Sequence, residues 1–267
     1  MLAMTPRVLI LAAALSLAHL ACAQAEFSTR NGYPELRNWS GMPGGMFGVT
    51  RKGTPDTLHG ALTLSTPIAY SLRSGNFAVG FSNTSFDTKL HLFPDTSAQS
   101  QSNGNGTGTL MAGISTGIGD FSYSYMVLSS KLNASMNLLF TPKQGEGPVT
   151  FAIGGQDVLN RAGADGEDFD AVNSFKSNSY FAVATAIIAD ESYVSLGLGD
   201  KRFHGIFGSA STKLGDWGRA MIEYDAFNWN YGLGFPFRID ENEGITAHVF
   251  IGMIAGKYTT FGIVLAK

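Results

Sequence analysis

The sequence predicts an all-β protein, an antiparallel transmembrane β-barrel of about 12 (12–14) strands, and three observations carry that expectation. From Phe227 to Phe237 a large apolar or aromatic residue stands at every odd position, with Asn, Gly or Pro at every even one. Successive strand side chains point to opposite faces, so one face is greasy and the other small and polar. Charged residues make up only 15% of the chain and Gly numbers 33 of 267, where soluble domains carry about 25% charge. Beyond the N-terminus there is no apolar run of about 18 residues, so any crossing of a membrane falls to strands.

Residues 1–25 read as a secretory signal peptide: one basic residue (Arg7), an apolar run from Val8 to Leu20, and small residues around Ala23-Gln24-Ala25. Cys22 is the single cysteine, which leaves no disulfide framework. It is either lost with the signal or lipidated at the mature N-terminus. Residues 26–50 are irregular, with Tyr33-Pro34 and Met42-Pro43-Gly44-Gly45, and fit a periplasmic lead-in, a plug or an extra first strand. The barrel is expected over residues 51–267.

Period-2 rows then follow one another. Leu58, Leu62 and Leu64 share a face with Gly60. Phe77, Val79 and Phe81 come next, then the less regular 88–93. Leu110, Ala112, Ile114 and Ile118 precede Phe121, Tyr123, Tyr125 and Val127. Ala134, Met136, Leu138 and Phe140 lead to Val149, Phe151 and Ile153. After the irregular 180–188 come Val194, Leu196 and Leu198, and then 204–212 and 219–225. The aromatic row Phe227, Trp229, Tyr231, Leu233 and Phe235 is expected to face lipid. Ala247, Val249, Ile251 and Met253, then Phe261, Ile263 and Leu265, complete the set. Two long polar connections, 95–109 and 161–178, suit loops on the outer face of such a barrel.

The faces opposite these rows define the interior. Arg219, Glu223 and Asp225 share one face, and Asn228, Asn230 and His248 fall on small-residue faces, so all six are candidates for the lumen. Paired carboxylates can cleave glycosides, yet charges pairing across a lumen explain these more simply. Asp165, Glu167, Asp168 and Asp170 resemble an oxygen-rich cation site but lack calcium-loop spacing, and read as a solvated outer loop. The mature histidines have no metal-type spacing, and no catalytic residue, metal or cofactor is assigned. A net charge of −3 offers no basic footprint for nucleic acid.

The succession Gly154-Gly155-Gln156-Asp157, Gly197-Leu198-Gly199, Phe207-Gly208, Glu223-Tyr224-Asp225 and the aromatic strand through Gly234 resembles the YjbH-like exopolysaccharide-associated outer-membrane proteins. The resemblance covers about residues 150–237. It implies a non-enzymatic barrel in the outer membrane of a diderm bacterium, linked to polysaccharide export or envelope assembly. The expected partners are outer-membrane lipid, the barrel-insertion machinery and export components. Two other functions fit the residues: a passive pore for small solutes, and a secreted carbohydrate-binding β-sandwich with its aromatic rows inside.

Overall fold

The computed structural model describes residues 38–85, 106–128, 133–145, 147–159, 178–189, 191–203, 205–240 and 242–267. Signal residues 1–25, Cys22, the first part of the lead-in, segment 88–93 and the acidic run 165–170 lie outside them. Twelve strands form one closed ring: β1 (Phe77–Thr84), β2 (Thr107–Ser115), β3 (Gly119–Leu128), β4 (Asn133–Pro142), β5 (Val149–Gln156), β6 (Ser179–Ala189), β7 (Ser192–Gly199), β8 (Gly205–Leu214), β9 (Gly218–Tyr224), β10 (Trp229–Asp240), β11 (Ile245–Ile254) and β12 (Tyr258–Ala266). Each pairs antiparallel with its sequence neighbours. The ring closes where β1 meets β12, from Ala78 opposite Ala266 to Thr84 opposite Thr260.

Closure removes every open strand edge, and the alternation of side chains decides what each face touches. In β12 every second residue is exposed, Phe261, Ile263 and Leu265 among them, while Thr260, Val264 and Ala266 are buried. The same outward exposure recurs around the ring in Val79, Leu110, Tyr125, Phe151, Leu196, Ile206 and Ile251. An apolar surface running right round a closed sheet has only hydrocarbon as a suitable neighbour. The protein is therefore an outer-membrane barrel of a diderm bacterium, and the soluble sandwich is set aside because its aromatic rows would have to be buried. No helix among the described residues is long and apolar enough to cross a membrane.

The wall has one thin seam. β4 and β5 align at only three positions, Leu138–Gly155 to Phe140–Ile153. Below it the Gln144 side chain stands in for a strand, accepting from Phe151 N–H and donating to Phe151 C=O at 2.9 and 2.6 Å.

Strand bounds also separate the two ends of the barrel. Residues 116–118, 143–148, 190–191, 215–217 and 241–244 join strands at the end where β1 starts and β12 finishes. The two longest gaps between strands, after β1 and after β5, open from strand ends at the opposite end, and short turns mark the periplasmic side of such barrels.

The first wall strand starts at Phe77, not at residue 51. The row Leu58–Leu64, read from the sequence as a strand, belongs to a segment inside the ring. Residues 60–72 are buried at every position, whereas a wall strand must expose every second side chain. The backbone leading into them is folded on itself. Gly44 and Gly53 have φ of 93° and 73°, conformations that L side chains rarely adopt. A Cβ on Gly60 would lie 2.4 Å from the Val49 carbonyl carbon, so two stretches of the segment touch backbone to backbone there. With 58–65 moved inside, the ring among the described residues has twelve strands.

Candidate functional site: a plug latched to the barrel wall

Residues 38–76 fill the lumen. Trp39, Met46, Phe47, Val49, Leu62, Leu64, Ile68, Tyr70 and Leu72 pack into one buried cluster with Met111, Tyr193, Met221, Phe250 and Val264 of the wall. Towards the outer end Met42 and Ala69 join Phe181, Phe203 and Phe207 in a second. These inward aromatics are accommodated by glycines on neighbouring strands. A Cβ on Gly232 would stand 2.1 Å from Phe250 Cζ, and one on Gly197 the same distance from Phe207 Cζ. A small-residue lumen was expected on these inward faces, but the space is taken up by rings and by the plug.

A chain that crosses a dry interior without entering the sheet must still satisfy its peptide groups. The wall supplies the partners as side chains. Ser211 Oγ accepts from Leu62 N–H at 3.1 Å, Thr185 Oγ1 from Ala69 N–H at 2.8 Å, Thr141 Oγ1 from Ser71 N–H at 3.1 Å and Ser122 Oγ from Leu72 N–H at 2.6 Å. Gln156 Nε2 donates to Ser40 C=O at 2.9 Å. The inward hydroxyls of the period-2 rows thus serve as a track for the plug backbone.

Charged groups make the firmest ties, because hydrogen bonds to ionised groups are shorter and stronger than neutral ones. Glu223, fully buried, accepts at Oε2 from the N–H groups of Leu64 (3.0 Å), Ser65 (3.2 Å) and Thr66 (3.2 Å) and from Thr66 Oγ1 (2.9 Å). Its Oε1 accepts from Ser65 N–H at 2.9 Å, Ser65 Oγ at 2.7 Å and Asn230 Nδ2 at 2.9 Å. Four residues earlier on the same inward face, Arg219 donates from Nε to Thr57 C=O at 2.9 Å and from Nη2 to Leu58 C=O at 2.6 Å. Its guanidinium lies 5.1 Å from the Tyr193 ring centroid. One strand therefore grips the plug twice, at a carbonyl turn towards the periplasmic end and at an N–H turn towards the outer end.

The other sequence candidates divide. Asn230 is buried and ties three places together, donating to Glu223 and to Asp225 Oδ2 (3.2 Å) while accepting from Ala255 N–H at 2.9 Å. His248 is buried beside the plug. Thr57 Oγ1 accepts from Gly48 N–H at 3.0 Å and shares a hydrogen bond with His248 Nδ1, 2.7 Å away. Asp225 is also buried but ends β9 by capping a turn, accepting at Oδ1 from Phe227 N–H and Asn228 N–H at 2.9 and 2.7 Å. That turn corrects two assignments. The aromatic row was read as one strand from Phe227, but β10 starts at Trp229. Phe227 packs against the inner cluster of Phe203 and Ala226 instead of lipid, and Asn228 is a half-buried turn residue rather than part of the lumen wall. The physical reason is Ala226, whose φ of 77° reverses the chain and breaks the alternation before it can reach Phe227.

Trp229, Tyr231, Leu233 and Phe235 follow on the outward face. Leu233 is 38% exposed, Trp229 packs 5.4 Å from Tyr224 and Phe235 stacks 5.8 Å from Trp217.

Arg202 escaped sequence reasoning. It is in a single 3₁₀ turn, Lys201–Phe203, is fully buried, and donates to Ser65 C=O at 3.2 Å and Asp225 C=O at 3.0 Å. A basic residue in a short connection carries no periodic signal. Ser122 is on the face opposite the row Phe121–Val127, but nothing in the sequence marks it, Thr141 or Thr185 as a partner of a plug.

Fold and site together define a class: an outer-membrane barrel closed by an internal plug held by buried polar ties. No protein-family model matches the sequence, and no curated protein matches it significantly. Solved structures similar to it include a KdgM porin, at 9% identity over 72% of this chain and 97% of that one, with a TM-score of 0.45. Outer membrane phospholipase A from Escherichia coli is 10% identical over 72% and 92%, TM-score 0.42. The Acinetobacter baumannii outer membrane protein Omp33 is 8% identical over 72% and 95%, TM-score 0.41. Nothing those proteins bind or cleave is carried over to this chain.

Proposed function

We propose that the protein is a plugged outer-membrane conduit, non-enzymatic, that serves export of extracellular polysaccharide or assembly of the envelope and is closed at rest. The observation that carries this reading is the way residues 38–76 are held. Their ties across the lumen use a side chain on at least one partner, and the one backbone pair with a strand among the described residues, Gly113 N–H to Asn76 C=O, is at the entry to β1, so the segment can leave without opening the barrel ladder. Once it moves, the same inward hydroxyls, amides and charges would face water as a hydrophilic lining of a ring between the filled small barrels and the open channels of porins. The polysaccharide role is supported by the resemblance over residues 150–237. Its residues Gln156, Glu223 and Asp225 are in the latch or beside it.

The sealed lumen argues against a passive pore that stands open. In planar bilayers the intact protein should be silent, and a variant lacking residues 38–76 should conduct if it still shows the heat-dependent gel shift of a folded barrel. A double variant, Glu223→Ala with Arg219→Met, repeats the test with the segment present. Steady current from the intact protein would overturn the closed reading, and silence from folded, unlatched variants would overturn the conduit. Cells without the protein should lose surface polysaccharide and regain it on complementation; unchanged polysaccharide would overturn the export role.

A further inference from the structure

Where the N–H groups of Leu62, Ala69, Ser71, Leu72 and Ser74 reach the wall, each meets a single hydroxyl, but the turn at residues 64–66 is different. Three consecutive N–H groups and two hydroxyls, all from the plug, converge on one carboxylate at 2.7–3.2 Å. Leu64, Ser65 and Thr66 are each fully buried. Successive N–H groups pointing into one concavity form an anion site whose geometry belongs to the donors, whatever carries the anion. Here the donors are on the plug and the anion is on β9, so the two halves of the site belong to parts of the molecule that are tied only through side chains.

We propose that the turn at residues 64–66 is a carboxylate receptor in its own right, that Glu223 is its built-in occupant, and that a free carboxylate binds there when Glu223 is removed. The ligand class is a carboxylate because both oxygens are used. Oε1 takes Ser65 N–H, Ser65 Oγ and Asn230, and Oε2 takes the N–H groups of Leu64 and Thr66 with Thr66 Oγ1. A planar two-oxygen acceptor satisfies both groups of donors, whereas chloride is a single point. The inference rests on the latch described above and not on any cargo.

The test is chemical rescue. In Glu223→Ala, with formate as the probe, hydrogen exchange at the amides of Leu64, Ser65 and Thr66 should rise about 100-fold or more, the loss of several charge-assisted bonds. Formate at about 0.1 M should return at least a tenth of the lost protection, with equal chloride or formamide returning none. Rescue no larger than that by chloride, or unchanged exchange in the variant, would overturn the proposal. If Glu223→Ala does not fold, Glu223→Gln keeps the shape but turns an amide N–H₂ towards the donors. Those three amides should then exchange faster than in the intact protein, and equal protection would overturn the requirement for a carboxylate. Because the readout is local protection, failure here is distinguishable from failure of the conduit, which is judged by current.

Discussion

Leu233→Arg tests which solvent the barrel meets. β10 runs from Trp229 at the outer rim to Asp240 at the periplasmic one. A strand advances about 3.4 Å per residue, or about 2.6 Å along the membrane normal at a tilt near 40°. Leu233, four residues on from Trp229, is then about 10 Å below the rim, close to the middle of an apolar band about 25 Å tall. Phe237, four residues further, is about 21 Å down and near the other edge. Arg at the midplane costs about 2–4 kcal/mol and near an interface about 0–1. The first figure corresponds to about a 30- to 700-fold change in the unfolding equilibrium. Reversible urea unfolding in lipid vesicles, followed by the gel shift and Trp fluorescence, measures it, with Leu233→Ala correcting for the lost side chain. A Leu233→Arg penalty within 0.5 kcal/mol of Leu233→Ala, or no larger than that of Phe237→Arg, would refute the lipid-facing assignment.

One residue away, Gly232→Ala should destabilise by about 1–3 kcal/mol, because its methyl group meets the Phe250 ring inside a filled lumen. Gly108→Ala, which meets nothing within 4 Å, should change the same unfolding midpoint by less than 0.5 kcal/mol. Equal effects would count against a packed interior. Arg219→Met orphans the Thr57 and Leu58 carbonyls, a cost of about 2–4 kcal/mol concentrated on the plug. Its mark is faster amide exchange at Gly48 and Ala61 with β11 and β12 unchanged; a uniform change, or none, would show that Arg219 does not hold the segment.

The wall was legible in the sequence because a strand in a membrane answers to two environments at once. The dyad rows through Leu110, Phe151, Leu196, Ile251 and Phe261 record that alternation residue by residue, and with it the all-β class, the ring size and the outward faces. Arg219 and Glu223 could be assigned to the inner face by the same parity. The plug was not legible, since a segment enclosed on all sides has no alternation to display: Leu62 and Leu64 looked like a strand only because Thr63 and Ser65, equally buried, look polar. Nor could parity find the partners of Glu223. Residues 64–66 and residue 223 are far apart in the chain, and it is ring closure that brings them together. A lone positive φ at Ala226 likewise decided where β10 begins, a backbone choice that no side-chain pattern announces. The local pleat thus specified the barrel, while what seals it depended on which distant donors the closed ring left facing one carboxylate.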